Sequence, residues 1–168
     1  MALVVKLAFE AIGEVGLWRV AVQPGKPFAF GVVDRGGGGR TLLFGLPGNP
    51  VSSFVTFELF VRPAIRRLAG WSADRLLRSL DRGTLLDDVS KSAGRRAFLR
   101  VVTARDAAGA TVRDAEGRVP VRLAGGGRGQ GSHVLSALAI ADALAVVPES
   151  VDRLAAGSPV DLWWLDRD

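Results

Sequence analysis

The alternation of polar and apolar positions divides this chain into two unlike stretches. Over residues 3–12 apolar side chains recur at helical spacing, with Leu3, Leu7, Phe9 and Ile12 placed for burial, and Gly13 and Gly16 end the run. Residues 17–22, 28–33 and 41–44 then read as strands. The last two are joined by a flexible connection, residues 34–40, that holds four consecutive glycines. From residue 51 to 68 the pattern predicts a largely apolar helix, with Phe54, Val55, Phe57, Leu59, Phe60 and Val61 buried. Arg62, Arg66 and Arg67 mark its expected solvent side. These elements make an α/β unit with too few members to close on itself, as at the end of a domain.

Past Gly70 the pattern shortens. Residues 71–82 read as a polar connection with room for one helical turn. Strand-like runs follow at 83–89, 98–105, 111–113, 119–123, 143–147 and 160–165, with turn signals such as Ala108-Gly109, Glu116-Gly117 and Ala156-Gly157 between several of them. Residues 134–141 read as a short helical connection. Many short strands with regular turns predict a small antiparallel barrel or sandwich. The expected fold is therefore a partial α/β domain of sheet plus helices over residues 1–70, a linker over 71–82, and a small all-β barrel-like domain over 83–168.

Composition narrows the class. At 168 residues, 48% hydrophobic and 23% charged, the chain suits a folded globular protein of one domain or two small ones. It has no cysteine, which excludes a disulfide framework and a thiolate metal site. The first residues form an apolar run without a basic leader, and the longest apolar stretch, 134–148, is interrupted by Ser136 and Asp142. That falls short of the ~20 residues a membrane span needs, so a cytoplasmic protein with no membrane partner is expected. The net charge of +5 comes from 19 arginines against 3 lysines. They are scattered, without stacking aromatics or a helix-turn-helix pattern, and do not point to nucleic acid. GC-rich coding accounts for such usage without any ligand.

The candidate chemistry lies in two loops. Residues 41–53 read as strand, rigid turn and helix start. Asn49 is suited to cap the helix, Pro50 to its first turn, and the free N–H groups of such an end attract anions. Ser52 and Ser53 add hydroxyl donors, and Pro47 and Pro50 stiffen the loop. Taken alone, the segment is equally an ordinary strand-to-helix connection. Residues 18–31 alternate in character, break at Pro24-Gly25-Lys26-Pro27 and resume as a strand.

Together PGKPFAFG (24–31) and GLPGNPVSSFVTFELFVRP (45–63) resemble the molybdopterin molybdenumtransferases, the MoeA and gephyrin E-domain family. GRRAFLR (94–100), GQGSH (129–133) and AIADALAVVPE (139–149) extend the resemblance over about residues 5–164. It implies the C-terminal part of an α/β molybdopterin-binding domain, with its first strands absent, followed by the whole of a C-terminal β-barrel domain. It also implies a reaction: molybdenum passes from molybdate into adenylylated molybdopterin, with Mg²⁺, and AMP is released. The implied partners are these substrates, a second copy of the chain in a homodimer, and other molybdenum-cofactor proteins.

By resemblance, Gly45, Pro47, Gly48, Asn49, Pro50 and Ser52 belong to the molybdopterin loop, and Arg100 and Ser132 to the catalytic cleft. Arg100 would bind molybdate or phosphate through its guanidinium, Ser132 would donate a hydroxyl bond, and Lys26 would contact phosphate. A strand-surface arginine, a turn-capping serine and an exposed turn lysine are the respective alternatives. His133 reads as a turn or interface residue. Arg19 and Gln23 stand where family members commonly carry lysine. A charged hydrogen bond contributes about 1.5–3 kcal/mol against about 0.5–1.5 for a neutral one, so Gln23 weakens anion binding by about tenfold. No metal ligand is assigned. The acidic residues for Mg²⁺ are expected in a part of the family's domain not present here, so the chain reads as a C-terminal portion or shortened form whose site is incomplete alone. A noncatalytic binding or dimerisation module is the alternative.

Overall fold

A computed structural model describes residues 14–165, so the helix expected over 3–12 lies outside the described residues. The first sheet is antiparallel, with β1 (Glu14–Trp18) and β4 (Arg40–Gly45) on either side of β3 (Phe28–Asp34). The strand expected over 17–22 is split. β1 ends at Trp18, and a separate strand β2 (Val22–Gln23) leaves this sheet and pairs in parallel with β7 (Arg96–Thr103). The turn after β2 lies tightly on the helix: a Cβ on Gly25 would sit 2.5 Å from Val22 Cγ2 and 3.2 Å from Thr56 Cγ2. Only glycine allows that approach.

The long helix is present and is compound. α1 (Pro50–Thr56) passes into one π-helical turn (Phe57–Val61) and then α2 (Arg62–Leu68). Its burial corrects the expectation. Val51, Val55, Glu58, Arg62 and Arg66 are buried, Phe54, Phe57, Leu59, Phe60 and Val61 are half-buried, and only Arg67 of the three arginines is exposed. The reason lies in the connection that follows, which folds over the arginine side. Arg62 Nη1 donates to Leu76 O at 3.3 Å and Arg66 Nη1 to Arg75 O at 2.6 Å. Arg78 forks onto Glu58, with Nε to Oε2 at 2.8 Å and Nη2 to Oε1 at 3.0 Å. The Arg66 and Arg75 guanidiniums lie 4.2 and 4.5 Å from the Trp71 ring centroid.

The second half forms a closed barrel. β5 (Leu80–Leu85), β8 (Val119–Leu123), β7, β9 (Ala143–Val147) and β11 (Ser158–Trp164) pair in a ring, and β2 is appended to β7. The barrel is mixed rather than antiparallel, because β8 enters beside β5 in the same direction. A small outer pair, β6 (Val89–Ser90) with β10 (Arg153–Leu154), completes it. The strand expected over 111–113 is reduced to one bridge, Arg105↔Thr111. Asp106 Oδ1 accepts from the backbone N–H groups of Ala108 and Ala110, both at 2.9 Å, which favours a turn there over a ladder.

Strand alternation sorts the two faces. Ala97, Leu99 and Val101 of β7 join the barrel core, so Phe98 and Arg100 point the other way. On that outer face Val55 of α1 packs with Phe98 and Leu144, and Phe98 meets Trp163 edge-on at 5.5 Å. The same parity that closes the barrel therefore aims Arg100 toward the first half of the chain. A short helix α3 (Leu135–Ala139) occupies the expected connection.

Candidate functional site

Parallel docking of β2 on β7 brings the Pro24–Lys26 turn beside Arg95, and Arg96 N donates to Ala21 O at 2.8 Å. The helix start joins from the other side. Asn49 takes the cap position, but its side chain does not cap the helix; its Nδ2 donates to Ser132 Oγ at 3.0 Å. Val51 N donates to Ser132 O at 3.2 Å, so one of the N–H groups expected to attract an anion is spent on the neighbouring loop. The loop shape comes from Ser53, whose hydroxyl donates to Pro47 O, and Pro50 sits in the first turn as expected.

These contacts enclose a cleft of about 370 Å³. Gln23, Lys26, Asn49, Ser52 and Ser132 line it, together with Arg95, Gln130 and Gly131. Its lining carries two cations and no carboxylate. Of the remaining residues singled out in the sequence, Pro47 is buried behind the loop, Gly45 is half-buried, and Arg19, Gly48 and Pro50 are exposed; none of the five lines the cleft. Lys26 is exposed at the rim, and His133 is exposed in the turn it was expected to occupy.

Arg100 lies beneath, 1% exposed. Its Nη2 donates to Gly129 O at 2.8 Å and Gly131 O at 3.2 Å, fixing the loop that presents Ser132. Gln130 completes the hold. Its amide accepts from Arg100 N at 3.0 Å and donates to Arg100 O at 2.9 Å, in the manner of one more strand residue beside β7. Gly129 is required, since a Cβ there would sit 2.1 Å from Ala124 O. Burial pulls the Arg100 guanidinium down to about 10, which leaves it a cation at neutral pH. Its Nε and Gln23 Oε1 are buried without a hydrogen-bond partner, and both residues line a second cavity of about 150 Å³ that shares Gln23, Pro24 and Gln130 with the first. An unpartnered buried polar atom costs about 1–3 kcal/mol.

Among the described residues no group of three or more His, Asp or Glu side chains is placed to hold a metal ion. The Mg²⁺ that the resemblance implies does not fit this donor set among the described residues. No helix of the described residues is long and apolar enough to cross a membrane.

The family model described as "MoeA C-terminal region (domain IV)" matches residues 82–165, half of the chain. The chain belongs to the MoeA family. A second model, "Probable molybdopterin binding domain", matches residues 3–67 of this MoeA-family chain. The chain is 35% identical over 162 residues to molybdopterin molybdenumtransferase 1 of Mycobacterium tuberculosis, covering 96% of this chain and 35% of that protein. It is 32% identical over 160 residues to molybdopterin molybdenumtransferase of Haemophilus influenzae, covering 94% and 35%. It thus spans about a third of the length of these curated relatives. The solved structure of the molybdopterin biosynthesis MoeA protein from Pyrococcus horikoshii superposes with a TM-score of 0.63 at 28% identity, over 92% of this chain and 33% of that one.

Two polar side chains of the cleft of this MoeA chain, Gln130 and Arg95, were not among the sequence candidates. Gln130 stands in the GQGSH motif that carries the resemblance, but nothing there assigns it a role, because its partners are the backbone of a residue far away in sequence. Arg95 was hidden in the Arg95-Arg96 pair, and only the position of β7, which begins at Arg96, separates the two.

Proposed function

We propose that this chain forms the molybdopterin-binding end of a molybdopterin molybdenumtransferase, which inserts molybdate into adenylylated molybdopterin and releases AMP. The observation that best supports this reading is the cleft itself. Three motifs from both halves of the fold converge on it, tied by the Asn49–Ser132 hydrogen bond, and its lining is cationic. A ligand carrying phosphates and a second oxyanion needs fixed cations and N–H or O–H donors.

In this reading Ser132 and Ser52 offer hydroxyls and Lys26 a point charge, while Arg19 adds positive charge outside the cleft. Arg100 acts beneath the cleft, where its Nη2 holds the 129–131 loop that carries Ser132. Gln23 lends no charge, which lowers anion affinity. Gly45, Pro47, Gly48 and Pro50 act through the loop shape. A homodimer and a cytoplasmic location belong to the same reading.

A second reading, a noncatalytic docking module acting with other molybdenum-cofactor proteins, draws support from an open apolar groove of about 480 Å³ between sheet and helix. Phe28, Phe30, Phe44 and Phe60 are among the residues that line it. Complementation separates the two. The chain is expressed in cells that lack their molybdenumtransferase, with a full-length family member and an empty vector as controls, and nitrate reduction is measured. Rescue shows that the chain alone suffices for the transfer. Soluble chain that binds molybdopterin without rescue supports the binding end of an incomplete transferase site, and soluble chain that neither rescues nor binds molybdopterin overturns that reading and leaves the docking module.

A further inference from the structure

We infer that Arg95 is the residue by which the cleft grips a tetrahedral oxyanion of its ligand, an inference that rests on the reading of the cleft given above. Two adjacent arginines have opposite fates. Arg96 forks onto Glu149 at the surface, with Nε to Oε2 at 3.0 Å and Nη2 to Oε1 at 3.4 Å. Arg95 is half-buried, lines the cleft, and its guanidinium has neither a hydrogen-bond nor a carboxylate partner among the described residues.

Its backbone is clamped on both sides. Lys91 Nζ donates to Arg95 O at 2.7 Å, Gly94 N to Glu149 O at 3.0 Å, and Arg96 N to Ala21 O at 2.8 Å. A cation carried on a fixed backbone has less freedom to lose when it binds. Arg100, the other arginine near the cleft, is buried with one terminal nitrogen committed to two carbonyls. Among the described residues, Arg95 is therefore the arginine lining the larger cleft whose guanidinium is uncommitted.

A planar guanidinium matches two oxygens of a phosphate or a similar tetrahedral anion, which a lysine cannot do. Lys26, Ser52 and Ser132 share the same cleft and complete the remaining oxygens with one charge and two hydroxyls. The oxyanion is either a phosphoryl group of the organic ligand or free molybdate, and the test separates the two.

The test is calorimetric titration of the whole chain at low ionic strength with inorganic phosphate and, separately, with molybdate. The variants are Arg95→Gln, Arg95→Lys and, as surface control, Arg96→Gln. The expected result is a loss of about tenfold in affinity for Arg95→Gln, as for a lost charged hydrogen bond, a smaller loss for Arg95→Lys, and almost none for Arg96→Gln. The anion that the unsubstituted chain binds more tightly identifies the source. Thermal unfolding of Arg95→Gln at the parent temperature shows that the loss is not one of folding. Equal affinity of Arg95→Gln and parent, or equal losses at Arg95 and Arg96, overturns the inference while leaving the cleft reading intact. If the parent binds neither anion, the cleft reading falls and takes this inference with it.

Discussion

The barrel and the α/β segment reach order by different routes. Fourteen buried side chains, from Leu85 to Trp164, form one cluster inside the barrel, all of them supplied by the barrel half itself. Among the residues whose burial is described, the sheet β1–β3–β4 and its helix bury fewer apolar side chains. Phe28, Ala29, Val51 and Val55 are their buried apolar residues among those described, and Val55 finds its neighbours in Phe98 and Leu144 of the barrel. The other side of the helix faces the phenylalanine-lined groove, and its third side is covered by the polar strap of residues 71–79. A closed sheet satisfies its own edges and core, whereas a three-stranded sheet with one helix depends on what it leans against. The cleft lies along the seam between the two, so its geometry depends on how firmly the weaker half is held.

Mutations can break or sharpen that contrast. The largest effect is expected where the helix is held by charge. Glu58→Gln removes the buried carboxylate that Arg62 and Arg78 share, and should cost about 4 kcal/mol in urea unfolding. A negligible cost would mean that the strap does not hold the helix. Next comes the barrel: Leu162→Ala, at a fully buried position, should cost about 3 kcal/mol. Phe60→Ala, bordering the open groove, should cost about half as much, near 1.5 kcal/mol. If the two cost the same, the contrast between closed and leaning halves fails.

Asn49→Ala removes the side-chain tie across the seam and should cost about 1 kcal/mol of stability. Molybdate titration should show a matching drop in affinity as Ser132 loses its partner.

The smallest effect is in acid. The Arg113 fork above all, with the Arg82 N–H and the Trp164 indole N–H, holds the Asp81 carboxyl below its ordinary 3.8 against the opposing effect of burial. The ionised form is thus favoured in the fold. Its contribution is complete above pH 3.8 and disappears as pH falls through the lower folded value. Asp81→Asn should flatten that acid-side slope by about 0.5 kcal/mol, the size expected of a partly exposed pair. Denaturant midpoints measured from pH 5 to pH 2 read it directly.

Much of this was legible along the chain because the determinants are local. Alternation in Ala97, Phe98, Leu99, Arg100 and Val101 defines β7 and its two faces, and Pro50 together with the following apolar run defines the helix. Of the loops that line the cleft, the 45–53 turn was legible in the same way, whereas Ser132 rested on resemblance alone. What escaped depends on residues distant in sequence. Arg62 and Arg66 look solvent-facing until the strap arrives with the carbonyls of Leu76 and Arg75. Asn49 is placed as a cap, yet it turns to Ser132, a partner that no local rule connects to it. Arg95 and Arg96 are identical neighbours whose environments differ only once β7 begins and Glu149 reaches the second of them.

The parallel pairing of β2 with β7 also bears on the order of events at the ribosome. Val22 and Gln23 leave the exit tunnel well before Arg96 and Ala97, the residues they pair with, have been translated. At about 5–20 residues per second, the strand waits several seconds for its partner. During that interval the Pro24–Lys26 turn has no barrel to rest on, and the cleft takes shape only after the second half of the chain has emerged. A nascent chain arrested near residue 90 should therefore leave the 22–27 segment open to proteolysis, and release of the finished chain should close it.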